Sequence, residues 1–514
     1  MSVEDKGTKS RRIARNTMML YFRMLLLMLV SLYTSRVNLN ALGVDDFGIY
    51  GVVGGLVSMF WIVSNALVGS INRFITFELG TGNQDKLNRI FSTAKGFQYI
   101  IIAVIIILAE TIGLWFLNYK MVIPSDRMMA ANWVYQFSVI SFCLDLIVIP
   151  YTADIIAHER MSAFAYISIL NVFGKLIVAW TISIAPIDRL IWFGGLILVN
   201  STIIRYVYIY YCKRHFEECK AKFIFDKSVW KEMFGFAGWS FIGTIAAILR
   251  DYGGNILINL FFGPAVNAAR GIATQVNGAV SGFVDNFQTA VKPQITKSYA
   301  ANDYDYMYQL IYQGSRFSFY ILFLLALPIL CSTHYVLKLW LGEVPEYTVL
   351  FVQLILILTM HESLSGPLIT AMLATGNIRN FQIVVGGINL MNLPISYICL
   401  RLGWIPQSVV IVAIFISFCC TIARILFVRE MTGMPVRAFL THVYLNIFLI
   451  SGVSCIIPII LRWYLNEDFI GFLIVSFAAL VCSIICMLYI GCSKNERTFV
   501  FTRIRNLSNK LSHN

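Results

Sequence analysis

The sequence predicts an all-α polytopic membrane protein, with about fourteen transmembrane helices forming two six-helix lobes plus two C-terminal helices. Three observations carry this prediction. Apolar residues make up 58% of the 514-residue chain, and the mean hydropathy is +0.73, well outside the usage of soluble domains. Apolar stretches of about 20 residues, the length that crosses a bilayer core, follow one another almost without pause. Basic residues, by contrast, concentrate at the two ends of the chain and in one linker.

The first six spans lie near residues 17–42, 47–77, 97–118, 129–156, 162–185 and 190–212. The next six lie near 234–262, 265–291, 313–337, 347–372, 379–400 and 408–428, and the last two near 437–461 and 469–491. The tenth is interrupted by His361, Glu362, Gly366 and Pro367. The N-terminus is basic but has no short apolar region ending in a small-residue cleavage site, so the first span is expected to be retained.

The formal charge of +13 raises nucleic-acid binding as a class, and its distribution argues against it. Lys6, Lys9, Arg11, Arg12 and Arg15 precede the first span. Lys213, Arg214, Lys220, Lys222, Lys227 and Lys231 lie between spans six and seven, and Lys494, Arg497, Arg503, Arg505 and Lys510 follow the last. An even span count puts all three clusters on one side, which the positive-inside rule assigns to the cytoplasm. The opposite loops, such as Val44-Asp45-Asp46 and Asn466-Glu467-Asp468, lack Lys and Arg. The basic residues therefore read as topology signals with a weak attraction to anionic membrane lipids. Both termini are expected to be cytoplasmic.

No extramembrane segment is long enough for a soluble domain. The reading divides the chain into residues 1–227, 228–431 and 432–514: an N-terminal lobe, a C-terminal lobe, and two extra helices with a tail. A shift of 220 residues aligns Gly43 with Gly263, Gly51 with Gly271, Asp85 with Asp305 and Phe97 with Phe317. Six spans separate the equivalents, so the two halves share one orientation, as in transporters built from parallel repeats.

The most informative segment is the eighth span. Arg270, Thr274, Asn277, Ser281, Asp285, Gln288 and Lys292 recur every three or four residues and share one helix face. In a membrane protein such a stripe is expected to line water rather than lipid, and its cations suit an anionic cargo. Weaker stripes recur in the first span (Arg23, Ser31, Thr34, Asn38), the fourth (Ser138, Ser141, Asp145, Thr152) and the seventh (Ser240, Thr244, Asp251, Asn255, Asn259).

A charge near the bilayer centre costs about 2.5–3.5 kcal/mol on insertion scales, so Arg250, Lys175, Asp145 and Glu362 call for partners or a cavity. Arg250 and Asp251 point about 100° apart on a helix and are not expected to neutralise each other simply. Arg250 is left either pairing with an acid on another helix, such as Asp145, or facing a cavity. The candidate substrate-binding residues are Arg23, Arg250, Arg270, Asn277 and Lys292. Asp145 and Asp251, near the middle of separate spans, are the candidate ion-coupling carboxylates.

Enzyme motifs are missing. The sequence contains neither G-x-x-x-x-G-K-[ST] nor H-E-x-x-H, and the six histidines are scattered along the chain. The eleven cysteines show no C-x-x-C spacing, so no metal, disulfide framework or cofactor is expected. A membrane-embedded glycan polymerase or ligase would need larger outer loops.

The stretch Asn267-Ala268-Ala269-Arg270-Gly271-Ile272-Ala273, continued through Val291-Lys292-Pro293-Gln294-Ile295-Thr296-Lys297, resembles the eighth helix of polysaccharide-lipid flippases. Leu42-Gly43-Val44-Asp45-Asp46-Phe47-Gly48-Ile49-Tyr50 and Ala374-Thr375-Gly376-Asn377 fit the same Wzx-type (O-antigen/surface-glycan) proteins of the multidrug/oligosaccharidyl-lipid/polysaccharide exporter superfamily. The resemblance covers essentially the whole chain. It implies movement of an undecaprenyl-pyrophosphate-linked oligosaccharide across the bacterial cytoplasmic (inner) membrane, with alternating access between two lobes around a cationic cavity. Other glycan-assembly proteins are then expected partners. Arg23 and Arg270 match basic positions that matter in the related lipid II flippases, whereas Tyr50 stands at the second-helix place. That departure favours a surface-glycan precursor over lipid II. A drug or metabolite/cation antiporter of the same superfamily is the alternative, and it would favour an acidic cavity.

Overall fold

A computed structural model describes residues 3–58, 60–121, 123–220, 226–493 and 496–498. Linker residue Lys222 and the C-terminal Lys494, Arg503, Arg505, Lys510 and His513 lie outside the described residues. Among the described residues the secondary structure is all helical, and twelve helices are long and apolar enough to cross a membrane. Large apolar side chains such as Ile107, Ile177, Phe415 and Phe448 stand exposed on them, as lipid contact requires. The chain is thus a multi-pass membrane protein. Two further helices, α2 (Trp61–Thr81) and α9 (Pro264–Ala300), reach spanning length but are not among those twelve. On α9 the polar stripe is what lowers the hydropathy.

The chain packs as two compact units. The first comprises residues 1–244, 289–303 and 376–379, and the second comprises 245–288, 304–375 and 380–514. Packing therefore divides the chain at Thr244 rather than at residue 227, and it places residues 432–514 within the second unit. Helices α8 (Lys227–Phe262) and α9 each contribute to both units.

In the first unit α1 (Val3–Ser58) is broken at Gly43, and α2 follows. Next come α3 (Gln84–Leu108), a π turn and α4 (Leu114–Tyr119), which together form one candidate span. Then come α5 (Met128–Ala157), α6 (Met161–Thr181) and α7 (Arg189–His215). Leu42, Val178, Ile182 and Phe193 form one buried cluster, while Leu20, Met161 and Ala290 form another that seats the end of α9. Arg127 bridges Asp46 and Asp188, at 2.5 and 2.6 Å. Asp188 also caps α7 by accepting from the N–H groups of Leu190 and Ile191, two of the orphan donors that open every helix.

The second unit holds α10 (Tyr304–Cys331), α11 (Thr333–Leu341), α12 (Thr348–Ser363) and α13 (Ser365–Thr375). It continues with α14 (Arg379–Leu390), α15 (Asn392–Arg401) and α16 (Ser408–Thr432). The last elements are α17 (Val436–Phe439), α18 (Asn446–Tyr464) and α19 (Phe469–Cys486).

The 220-residue repeat reappears as backbone geometry. Gly43 and Gly263 both take φ near +80° between consecutive helices, a conformation that costs glycine little. The same shift pairs Gly82 with Asn302, also at positive φ. Asp85 and Asp305 then fall in the first turns of α3 and α10, where a carboxylate complements the helix dipole.

Candidate functional site

The second unit assembles a polar centre around a broken helix. Pro367 has no N–H to offer the carbonyl of Ser363, and there α12 stops at Ser363 with α13 resuming at Ser365. The carbonyls freed at the break are met from neighbouring helices. Gln288 Nε2 donates to Ser363 O at 3.1 Å, and Ser315 Oγ donates to Leu364 O at 2.8 Å. Broken helices persist at membrane depth when such groups are satisfied. The sequence locates this break correctly at His361–Pro367.

Glu362 stands immediately before the break. Arg250 on α8 reaches it with Nη1 at 2.6 Å, while its Nε donates to Asp251 Oδ1 at 2.9 Å. Asn389 Oδ1 lies 3.4 Å from the same Nη1. Arg250 thus pairs with an acid on another helix, one of the two alternatives expected, and that acid is Glu362 rather than Asp145. Adjacency to Asp251 is expected to prevent a simple pair, and the Nε–Oδ1 contact corrects this. His361, beside Glu362, is buried with Nδ1 2.9 Å from Ser417 Oγ and Nε2 3.3 Å from Tyr444 Oη.

Arg270 is arranged differently. Its guanidinium rests against Gly254, where a Cβ would lie 2.8 Å from Nη1. Nη1 is buried and has no hydrogen-bond partner, and no acid pairs with Arg270 among the described residues. Asn277 Oδ1 is likewise buried without a partner.

The remaining stripe residues separate. Thr274 donates to Arg270 O of its own helix at 3.0 Å, Asp285 is exposed, and Gln288 turns inward to the α12–α13 break. The expectation of seven residues on one open face therefore fails at Gln288, whose amide is needed by broken backbone. Lys292, exposed, falls in the first unit. Arg23, also there, lies 4.4 Å over the Phe164 ring and has a buried Nε without a partner. Asp145 is exposed on α5, with no ion pair among the described residues. Asp251 is 60% exposed at the side chain, Glu362 33% and Arg250 13%, so the carboxylates are the accessible part of that cluster.

One end of the first unit carries a network that sequence spacing does not reveal. Glu159, in the α5–α6 turn, accepts from Arg12 at 2.5 Å, Gln294 at 2.5 Å and Lys297 at 3.0 Å. Asn16 Nδ2 donates to its backbone carbonyl at 3.3 Å. Burial pushes the Glu159 carboxyl up, but the hydrogen bonds and charges of Arg12 and Lys297 outweigh it and hold the group below its usual 4.5. Four residues from distant parts of the chain meet here, and only the three-dimensional fold brings them together.

No family model and no curated protein matches the sequence. Solved structures do match. An outward-facing multidrug-resistance MATE transporter of the MOP superfamily superposes with a TM-score of 0.69 at 12% identity, covering 84% of this chain and 96% of that one. The MATE transporter ClbM in complex with Rb+ gives 0.67 at 13% identity, covering 84% and 98%. The bent form of the Vibrio cholerae MATE transporter VcmN gives 0.66 at 13%, covering 85% and 100%. The chain therefore has the fold of the MATE transporters.

Proposed function

We propose that the chain is a flippase, moving an anionic, undecaprenyl-pyrophosphate-linked oligosaccharide across the bacterial cytoplasmic membrane by alternating access, without enzymatic chemistry. The observation that carries this reading is Arg270, a membrane-embedded guanidinium whose buried Nη1 has no acceptor, and which has no acid partner, among the described residues. A pyrophosphate supplies acceptor oxygens in the fork geometry that arginine favours. It also needs such donors, because its charge loses hydration on entering hydrocarbon. Asn277 can receive a sugar hydroxyl, and the first unit holds its own cation, Arg23, with no acid partner among the described residues. The MATE-type fold supports transport as the class, and the Wzx-like helix supports the lipid-linked cargo. Arg250 enters the site as a fixed cation behind Asp251 and Glu362.

The second reading is a drug or metabolite/cation antiporter. It is favoured by the exposed Asp251 and Asp145 carboxylates, which suit a cationic ligand or a coupling proton or sodium ion.

The test is a deletion strain complemented with variants. The flippase reading expects lipid-linked oligosaccharide to accumulate on the cytoplasmic face, wild type to clear it, Arg270→Ala to fail and Arg270→Lys to clear it partly. Wild-type clearance by a well-expressed Arg270→Ala protein removes this arginine from the substrate site. No accumulation in the deletion strain, together with cationic-dye efflux that Asp251→Asn or Asp145→Asn abolishes, establishes the antiporter instead.

A further inference from the structure

Three side chains far apart in the sequence converge where α5 ends. Asp154 lies in its last turn and His158 caps it, with the His158 N–H donating to Asp154 O. Glu218 opens a single 3₁₀ turn, Glu218–Lys220, shortly after α7. His158 Nε2 is 2.7 Å from Glu218 Oε1 and 3.7 Å from Asp154 Oδ1. One donor atom from each residue lies within 4.8 Å of the other two. Ligands about 2 Å from a shared zinc ion in tetrahedral array stand about 3.3 Å from one another, and the two His158 separations, 2.7 and 3.7 Å, bracket that spacing.

The electrostatics call for a cation. The Asp154 side chain is fully buried and that of Glu218 is 2% exposed. Two neighbouring carboxylates in such a place repel each other and lose hydration, and a single imidazole is a weak counterweight. An independent observation points the same way. Among the described residues Asp154 Oδ1 has no hydrogen-bond partner, although it faces His158. A fully buried, unsatisfied carboxylate oxygen costs stability unless something unseen by the protein's own donors fills its valence.

The surroundings resemble the support that metal sites carry. Cys219 Sγ donates to Asp154 Oδ2 at 3.1 Å, holding that carboxylate while leaving Oδ1 for the centre. Gln84 Nε2 donates to Glu218 Oε2 at 3.2 Å, leaving Oε1 for the centre. The His158 ring is held flat against Phe216, with centroids 4.2 Å apart and planes 11° apart. Outer partners of this kind fix the ligands' orientation. An imidazole with two carboxylates makes a donor set for a borderline divalent transition ion rather than for magnesium or calcium.

We propose that Asp154, His158 and Glu218 bind a zinc-type divalent ion, with water completing its shell, that ties the end of α5 to the segment after α7. The spacing of histidines and cysteines along the sequence gives no hint of it, because the residues come from two separated stretches.

The test uses the full chain, purified in detergent with any affinity tag removed, stripped with a chelator and dialysed against zinc alone. The site predicts about one zinc per chain. Asp154→Asn, His158→Gln and Glu218→Gln should each weaken binding at least about tenfold, and Gln84→Ala by about 10–100-fold, the usual effect of removing an outer-shell partner. Glu343→Gln, at an exposed carboxylate elsewhere, should leave stoichiometry and affinity unchanged. Cobalt alone should give intense tetrahedral visible bands that His158→Gln removes. This measurement on wild type decides the matter if a variant fails to fold. Negligible zinc uptake, equal zinc in His158→Gln and Glu218→Gln, or a weak octahedral cobalt spectrum would overturn the site and leave a shared proton balancing the carboxylates.

Discussion

Arg250 Nη1 sits 2.6 Å from Glu362 Oε1, one residue before the last of α12, where the backbone stops at Pro367's missing donor. The ion pair thus joins α8 to the rim of a helix break. Removing one partner of a fully buried pair costs about 3–5 kcal/mol, because the other charge is stranded, whereas exposed pairs are worth about 0–1 kcal/mol. With Glu362 a third exposed, Arg250→Ala is expected to destabilise the purified protein by about 1–3 kcal/mol. Arg250→Met/Glu362→Gln together should restore much of that. Thermal unfolding in detergent measures both, and a double variant no more stable than Arg250→Ala would show that the pair is not what holds this junction.

The helices and the positions of the breaks were legible in the sequence because each rests on local signals: apolar length, Pro367 and Gly43. The site was legible only in part. Arg250 could be singled out by the cost of a charge in the membrane and Arg270 by its polar stripe, but neither signal told which of them has acid partners. Arg250 proves to be paired because Glu362 comes from 112 residues away, and no periodicity reports such a partner. Gln288 matched the polar stripe, yet it serves a backbone break on another helix. Glu159 and the Asp154–His158–Glu218 group escaped notice for the same reason: each depends on where separated turns meet.

Gly366 is expected to tolerate no side chain. A Cβ there would lie 2.2 Å from Gln288 Oε1 and 2.4 Å from Nε2, so Gly366→Ala must displace the amide that satisfies Ser363 O and bonds Ser318 Oγ. Overpacking of this kind costs about 1–3 kcal/mol. Thermal unfolding should show that loss, while Gln288→Ala/Gly366→Ala should fall little below Gln288→Ala alone. Equal, additive losses would place the strain elsewhere.

The Glu159 network sets a pH dependence. Its carboxyl titrates below 4.5 in the folded protein, because Arg12 and Lys297 outweigh burial. The unfolded chain then binds the proton more tightly, so the contribution is fully present above about 4.5 and disappears as pH falls through the lower folded value. Glu159→Gln should therefore be less stable than wild type at pH 7, and the gap should close on acidification below pH 4. A gap that is constant from pH 7 to pH 3 would mean that shape, not charge, gives Glu159 its role.

The last prediction concerns how Arg270 is placed. Its guanidinium lies on bare backbone at Gly254, and an added Cβ would stand 2.8 Å from Nη1, 3.2 Å from Nη2 and 3.2 Å from Val409 Cγ1. The nearest atoms belong to the flexible end of a long side chain, so Gly254→Ala should leave the fold intact and move the guanidinium instead. A bidentate donor shifted by a fraction of an ångström loses alignment with phosphate oxygens. A loss of about 1 kcal/mol, or about fivefold in transport, is the expected scale. The decisive measurement is a cycle with Arg270→Ala. If Gly254 acts through Arg270, adding Gly254→Ala to Arg270→Ala changes transport no further, because the group that was displaced is already gone. Independent, multiplicative losses would show that Gly254 matters for packing α8 against Val409, and that Arg270 takes its position from other contacts.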